Sequence, residues 1–292
     1  MDDHQIKIGL VQTRVSMDIC KNFDTTRRLV LKAAEQGAKI VCLQELFNSP
    51  YFAQVESKKN LEYAEKVPPG KTYNFLSTLA RDASVAVVGG SLYERGADGK
   101  NYNTCFIFDK NGNEACKYRK MHIPHDPYYY EQYYFSKGDL GYTHVSIEGL
   151  EVAALICYDQ WFPEAARILA LEGVQLIFYP TAIGWFNEMR VLEPFSMHRW
   201  EHAMRSHASL NGIYVAAVNR VGRENDLDFW GHSFIADPFG ELVTVASENE
   251  EGVVIATLDM EKILESQDGW MFLQNRRPES YEGLTRKSNS DF

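Results

Sequence analysis

Several short, almost wholly apolar runs recur along this chain: IKIGLVQ at 6–12, KIVCL at 39–43, VAALI at 152–156, LIFY at 176–179 and IYVAAV at 213–218. A strand that is apolar at consecutive positions is buried on both faces, which happens when sheets are covered by helices. Between the runs lie segments of helical period. One spans 22–36 and stops at Gly37, a second spans 72–82, a third spans 163–172 and opens on Pro163, and a long one spans 191–211. Residues 85–89 and 102–108 add strands, and 231–258 alternates strands and turns, with a hairpin at Pro238-Phe239-Gly240. The order βαβα, with hairpins later, predicts an α/β protein.

The chain has 292 residues, no internal repeat, no low-complexity stretch and no linker rich in Pro, Gly or Ser. One domain over 1–292 is expected, with a core over about 5–280 and a polar tail, 281–292, that is an arm or disordered. A hydrophobic content of 45% suffices to fill such a core, and a formal net charge of -10 excludes nucleic acid and anionic membrane as partners. No apolar run is long enough to span a membrane, and Met-Asp-Asp-His-Gln lacks the basic start and apolar core of a secretory signal. Five cysteines, Cys20, Cys42, Cys105, Cys116 and Cys157, are an odd number without tight spacing. That pattern predicts free thiols in a reducing cytoplasm.

Three reactive side chains share one layout, each expected just after a buried strand: Glu45 after KIVCLQ, Lys120 in YRKMHIP, and Cys157 after VAALI. In open α/β sheets function collects at the carboxyl ends of strands, so a carboxylate, an ammonium and a thiol could meet at one edge. Each has a bland reading: Glu45 as a solvated acid, Lys117 to Lys120 as a solvated basic turn, Cys157 as inert core. The combination argues otherwise. Glu45 can take the thiol proton and later activate water. Lys120 and the Tyr158 backbone N–H can stabilise an oxyanion on an attacked carbonyl. A cysteine at a strand tip, beside the positive end of a helix, is expected to be partly exposed and prone to ionise. Lys120 favours the thiolate and Glu45 opposes it, and residue types alone leave that balance open.

LQELF at Glu45, YRKMHIP at Lys120 and ICYDQWFPE at Cys157 stand in the order found in the nitrilase superfamily of carbon–nitrogen hydrolases, which the chain resembles over nearly its whole length. The resemblance implies a four-layer α-β-β-α sandwich, a Glu45–Lys120–Cys157 triad, and a second glutamate, Glu131, that orients the lysine. It further implies a small-molecule amide substrate, no cofactor, no metal and a homo-oligomer. Within the superfamily the chain is most similar to the N-carbamoylputrescine amidases, through YPTAIG at 179–184, NRVG at 219–222, GHSFIADP at 231–238, DGW at 268–270 and NRRP at 275–278. The implied reaction releases putrescine, carbon dioxide and ammonia, a step in polyamine synthesis. Two words depart from the family pattern. Lys137 stands where a proline is usual, and Trp185-Phe186-Asn187-Glu188 replaces a small acidic loop at the substrate pocket. Glu188 or Glu193 could restore the negative charge from a shifted position.

Other readings compete. A β-ureidopropionase or another N-carbamoyl amino acid amidase would need a cationic grip on a substrate carboxylate. Nitrile hydrolysis and a non-catalytic relative are further alternatives. His198-Arg199-Trp200-Glu201-His202 matches H-x-x-E-H, with both histidines on one helix face, but no third ligand has a motif and no metal is expected. His122 and His125 read as loop or supporting groups. The run Tyr128 to Tyr134, with Tyr130 as the candidate contact, is either an aromatic wall for a cationic substrate or a packed loop.

Overall fold

The computed structural model describes residues 4–286. Its first half runs β1 (Gln5–Gln12), α1 (Ile19–Glu35), β2 (Ile40–Leu43), β3 (Glu65–Lys66), α2 (Lys71–Ala83), β4 (Ala86–Val88), β5 (Leu92–Arg95), β6 (Asn101–Phe108) and β7 (Glu114–Arg119). The second half runs β8 (His144–Ile147), β9 (Leu150–Ala154), α3 (Pro163–Leu171), β10 (Leu176–Pro180), β11 (Gly184–Trp185), α4 (Asn187–Leu192), α5 (Ser196–Asn211) and β12 (Tyr214–Val218). It continues through β13 (Val221–Glu224), β14 (Leu227–Trp230), β15 (Phe234–Ala236), β16 (Leu242–Val245), β17 (Gly252–Asp259) and α6 (Glu261–Trp270).

The first sheet has the order β17-β1-β2-β4-β6-β5-β3, with β7 on the other edge of β6. The second has the order β16-β15-β12-β10-β9-β8, and β11, β14 and β13 form a small third sheet. β1, β2 and β4 are parallel, as are β9, β10 and β12. β17 returns to pair antiparallel with β1, from Gln5↔Asp259 to Gln12↔Gly252.

Alternation along the strands builds the layers. Ile8, Leu10, Ile40, Cys42 and Val88 point into a core shared with Val152, Ala154, Ile177 and Val215 of the second sheet. Their neighbours Val11, Val41, Leu43 and Val87 point the other way, onto Leu29, Val30 and Ala33 of α1 and Leu76 and Leu79 of α2. α3 and α5 cover the far side of the second sheet through Ala165, Leu169, Trp200 and Met204. The result is the four-layer α-β-β-α sandwich. Each fully buried Val, Leu or Ile contributes about 1.5–3 kcal/mol, and a one-residue slip would exchange the two cores.

Two expectations are corrected. The helix expected over 191–211 is two helices, α4 and α5. Pro194 separates them: it has no N–H to donate, and it holds Glu193 out of the helical region at φ -130°, ψ 66°. The strand before Lys120 is not buried on both faces. β7 is an edge strand with Glu114 and Ala115 exposed. β3, β5, β8, β11, β13, β14 and α6 had no expectation. Of the polar tail, 282–285 forms a 3-10 turn, and 287–292 lies outside the described residues.

Candidate active site

Glu45 follows β2 by two residues, in a turn tied to its neighbours. Thr13 N–H donates to Gln44 Oε1 at 2.7 Å, and Leu46 N–H donates to Ser91 Oγ at 3.0 Å. Gly90, at φ +61°, lets the Gln44 carbonyl approach where any Cβ would stand 2.1 Å from it. Lys120 continues β7, its N–H donating to Asn103 O at 2.9 Å. Cys157 lies three residues past β9, at φ +45°, and begins the 3-10 turn Cys157–Trp161 that leads into α3. Tyr158 is second in that turn, so its N–H has no acceptor within the turn.

Asp159, fully buried, joins the cysteine turn to the lysine strand. Its Oδ2 accepts from Ile156 N–H at 2.9 Å and from the Tyr118 hydroxyl at 2.8 Å. Its Oδ1 accepts from His122 N–H at 3.0 Å and lies 2.7 Å from His122 Nδ1. The His122 ring stacks on Phe162 at 3.7 Å. His122 is therefore a supporting group.

Glu45, Lys120 and Glu131 have side chains with 0% exposure. Lys120 Nζ donates to Glu45 Oε1 at 2.8 Å and to Glu131 Oε2 at 2.7 Å. Asn103 Nδ2 donates to Glu45 Oε1 at 2.8 Å, and the Tyr51 hydroxyl donates to Glu131 Oε1 at 2.7 Å. Glu45 Oε2 is buried with no hydrogen-bond partner among the described residues, which leaves it open to receive a proton. Two carboxylates share one ammonium. Burial pulls the Lys120 ammonium down, but Glu131 and Glu45 outweigh it and the net direction is up. Burial, helped by Glu45 and opposed by Lys120, pushes Glu131 up.

Cys157 is 6% exposed, with Sγ 4.0 Å from Ala182 O. Burial pushes its thiol well above the ordinary value, Glu45 adds to the rise, and Lys120 opposes it. The expectation of a partly exposed, readily ionised thiol is corrected. The strand tip is roofed by the loop after β10, and desolvation outweighs the cation.

Cys157 and Glu131 open onto a cavity of about 300 Å³, walled by Pro124, Tyr129, Trp161, Ile183, Phe186 and Met189. Asn219 holds that wall, accepting from Ile183 N–H at 3.0 Å and donating to Ile183 O at 2.9 Å. Among the described residues, every charged side chain lining the cavity is acidic: Asp126, Glu131 and Glu193.

Of the sequence candidates, Glu45, Lys120, Glu131 and Cys157 converge, and Tyr158 and Glu193 join them at the cavity. Glu188 is exposed on α4, outside the lining. Tyr130 also stands outside it, edge-on to His125 at 5.6 Å. Its neighbour Tyr129 takes the wall, with its hydroxyl 3.1 Å from both Gly184 O and Gly184 N. Tyr134, by contrast, packs inside the protein, so the tyrosine run is part wall and part packed loop. In the H-x-x-E-H segment, Glu201 pairs with His232 at 2.8 Å and Arg205 at 3.1 Å, while His198 and His202 are exposed. Sequence reasoning missed Asp126, Tyr51, Asn103 and Asp159. Asp126 alone carried a signal, as an acid between the lysine motif and the tyrosine run.

Residues 7–267 match the family model described as carbon–nitrogen hydrolase. The chain is 37% identical to the N-carbamoylputrescine amidase of Solanum lycopersicum, over 98% of this chain and 97% of that one. It is 33% identical to the citrullinase of Francisella tularensis, over 97% and 99%. The crystal structure of a carbon–nitrogen hydrolase from Helicobacter pylori G27 superposes with a TM-score of 0.92 at 35% identity, covering 97% of this chain and 99% of that one.

Proposed function

This chain belongs to the carbon–nitrogen hydrolase family, hydrolases of non-peptide C–N bonds in linear amides, and we propose that its substrate is N-carbamoylputrescine. The observation that carries the reading is the cavity lining. The walls are apolar enough for a methylene chain, and the charged groups are all acidic. Such a pocket suits a cationic amine tail and lacks the cation a substrate carboxylate would need. Asp126 has no ion pair among the described residues, whereas Glu193 lies 3.6 Å from Arg199. Asp126 is therefore the stronger anchor for the ammonium.

The steps proposed use these groups as follows. Glu45 Oε2 accepts the Cys157 proton as Sγ attacks the ureido carbonyl. Lys120 and the Tyr158 N–H stabilise the oxyanion. The tetrahedral adduct collapses, the C–N bond to the terminal amino group breaks, and Glu45 returns the proton to the departing ammonia. A carbamoyl group remains on Sγ. Glu45 then takes a proton from water, which attacks this carbonyl, releases the thiol and leaves a carbamate. The carbamate loses carbon dioxide to give putrescine. Glu131 holds Lys120 throughout. As part of the same reading, the protein is a homo-oligomer and works in the cytoplasm. Its five cysteines are free, which fits a reducing compartment.

Ammonia release from N-carbamoylputrescine, N-carbamoyl-β-alanine and citrulline tests this. The first is expected to be hydrolysed best, and Cys157→Ala to hydrolyse none. Asp126→Asn with Glu193→Gln is expected to raise KM by about tenfold with kcat nearly unchanged, the loss of two exposed charge contacts. Preference for N-carbamoyl-β-alanine would reverse the assignment to an acid substrate.

A further inference from the structure

The segment Asn219-Arg220-Val221-Gly222 has no part in the chemistry above, yet it holds one of the largest fully buried side chains, Arg220. Arg220 Nη2 donates to the main-chain carbonyls of Glu45 at 2.8 Å and Leu46 at 3.0 Å. Its Nη1 donates to Glu224 Oε1 at 2.6 Å, with side-chain exposures of 0% and 8%. Its guanidinium carbon lies 5.2 Å from the Phe229 ring centroid and 5.9 Å from that of Tyr51. Glu224 Oε2 accepts from Tyr51 N–H at 2.7 Å, and the Tyr51 hydroxyl donates to Glu131.

These contacts close a ring. It leads from the Glu45 carbonyl through Arg220, Glu224, Tyr51, Glu131 and Lys120 back to the Glu45 carboxylate. A buried ion pair is a poor way to gain stability, since apolar replacements often serve as well. Here the cation grips the two successive peptide carbonyls that flank Leu46, which is held at φ +47°, an unfavourable conformation for a leucine. A planar guanidinium can make these contacts from one position, whereas an ammonium cannot match the fork.

The geometry points to Arg220, with Glu224, as the positioning pair for the general base: it sets the main chain of Glu45 so that Oε2 faces the thiol while Oε1 stays on Lys120. This rests on the role of Glu45 proposed above. Neither residue lines the cavity, so substrate binding is untouched.

Two variants test it, Arg220→Lys and the double variant Arg220→Met/Glu224→Gln, which removes both charges together. Near-UV circular dichroism establishes folding. Each folded variant is expected to lose about 100-fold in kcat, the scale of a misplacement near 1 Å, with KM within about threefold of wild type. Alkylation of Cys157 by iodoacetamide at neutral pH is expected to slow alongside kcat, because the base assists thiol deprotonation. A merely structural loosening would expose the buried thiol and speed alkylation. If the double variant does not fold, Arg220→Lys decides alone, since it keeps a buried cation opposite Glu224. A folded variant with kcat close to wild type, or with faster alkylation, overturns the inference. Glu45→Gln is run beside them. If it keeps wild-type kcat, the proposed mechanism falls and this inference with it; if it is inactive while the Arg220 variants are fully active, this inference alone falls.

Discussion

Cys157 sits among groups that pull its proton in opposite directions, and burial outweighs them all. A thiol in that position is expected to stay protonated in the free enzyme and to give up its proton only as the base acts. The difference in absorbance at about 240 nm between wild type and Cys157→Ser, which reports thiolate, is therefore expected to stay flat up to the thiol's ordinary 9.0 and rise only above it. A step near neutral pH would mean that Lys120 had won and that the resting enzyme holds an ion pair. At this scale the reactive residue types were legible, because Glu, Lys and Cys at strand ends narrow the chemistry. Their ionisation was not. The Cys157 proton depends on the loop after β10 that roofs it, and no local pattern announces that roof. The same holds for Tyr51 and Asn103, whose hydrogen bonds to Glu131 and Glu45 join distant parts of the chain.

β7 carries Lys120 into the site although it is an edge strand, and a buried carboxylate on β5 secures it. Glu94 accepts from Lys117 at 2.6 Å, from Arg119 at 2.7 and 3.0 Å, and from Thr104 at 2.6 Å. The Arg119 guanidinium also lies 3.7 Å above the Tyr102 ring. Burial raises the Glu94 carboxyl, but the donors from Arg119, Lys117 and Thr104 outweigh it, and the net direction is down. A carboxylate held low in the fold adds stability above its ordinary 4.5 and loses that contribution as pH falls through the depressed value. Glu94→Gln is expected to cost about 3 kcal/mol at neutral pH in urea melts, the low end for breaking a buried pair because both cations keep some access to water. The gap to wild type should shrink in acid. A gap that held constant down to strongly acidic pH would rule out this charge-based account. Sequence reading took the 117–120 cluster for a possible solvated turn because it cannot see Glu94 from there. It also joined α4 to α5, weighing the apolar period above the local veto of Pro194.

The whole molecule presents a second hollow away from the cavity. Leu210, Trp270, Phe272 and Leu284 form an apolar part of its lining beside Arg167, Asn275, Arg276 and Tyr281, and Trp270 is 65% exposed. Apolar surface gathered in one place marks an interaction face, and the homo-oligomer proposed above would cover it with a second copy. Light scattering is expected to give a multiple of 33.4 kDa, and Trp270→Asp with Phe272→Asp to shift it towards the monomer. A wild-type protein that is monomeric at working concentration would refute this. From its sequence alone this chain determined the α/β class, most strand and helix positions, and the residues that could do chemistry. Those follow from apolar period, glycine and proline stops, and side-chain type, all of which act over a few neighbouring residues. The four-layer sandwich and the family came from motif resemblance, which carries no distances. Only the tertiary structure decided that Lys120 lies between Glu45 and Glu131, that the Cys157 thiol is buried, that Asp126 lines the cavity, and that Arg220 reaches Glu45. The contacts of Glu45 with Lys120 and Arg220 join residues 75 and 175 positions apart, and their energies depend on burial that exists only once both sheets have closed over them.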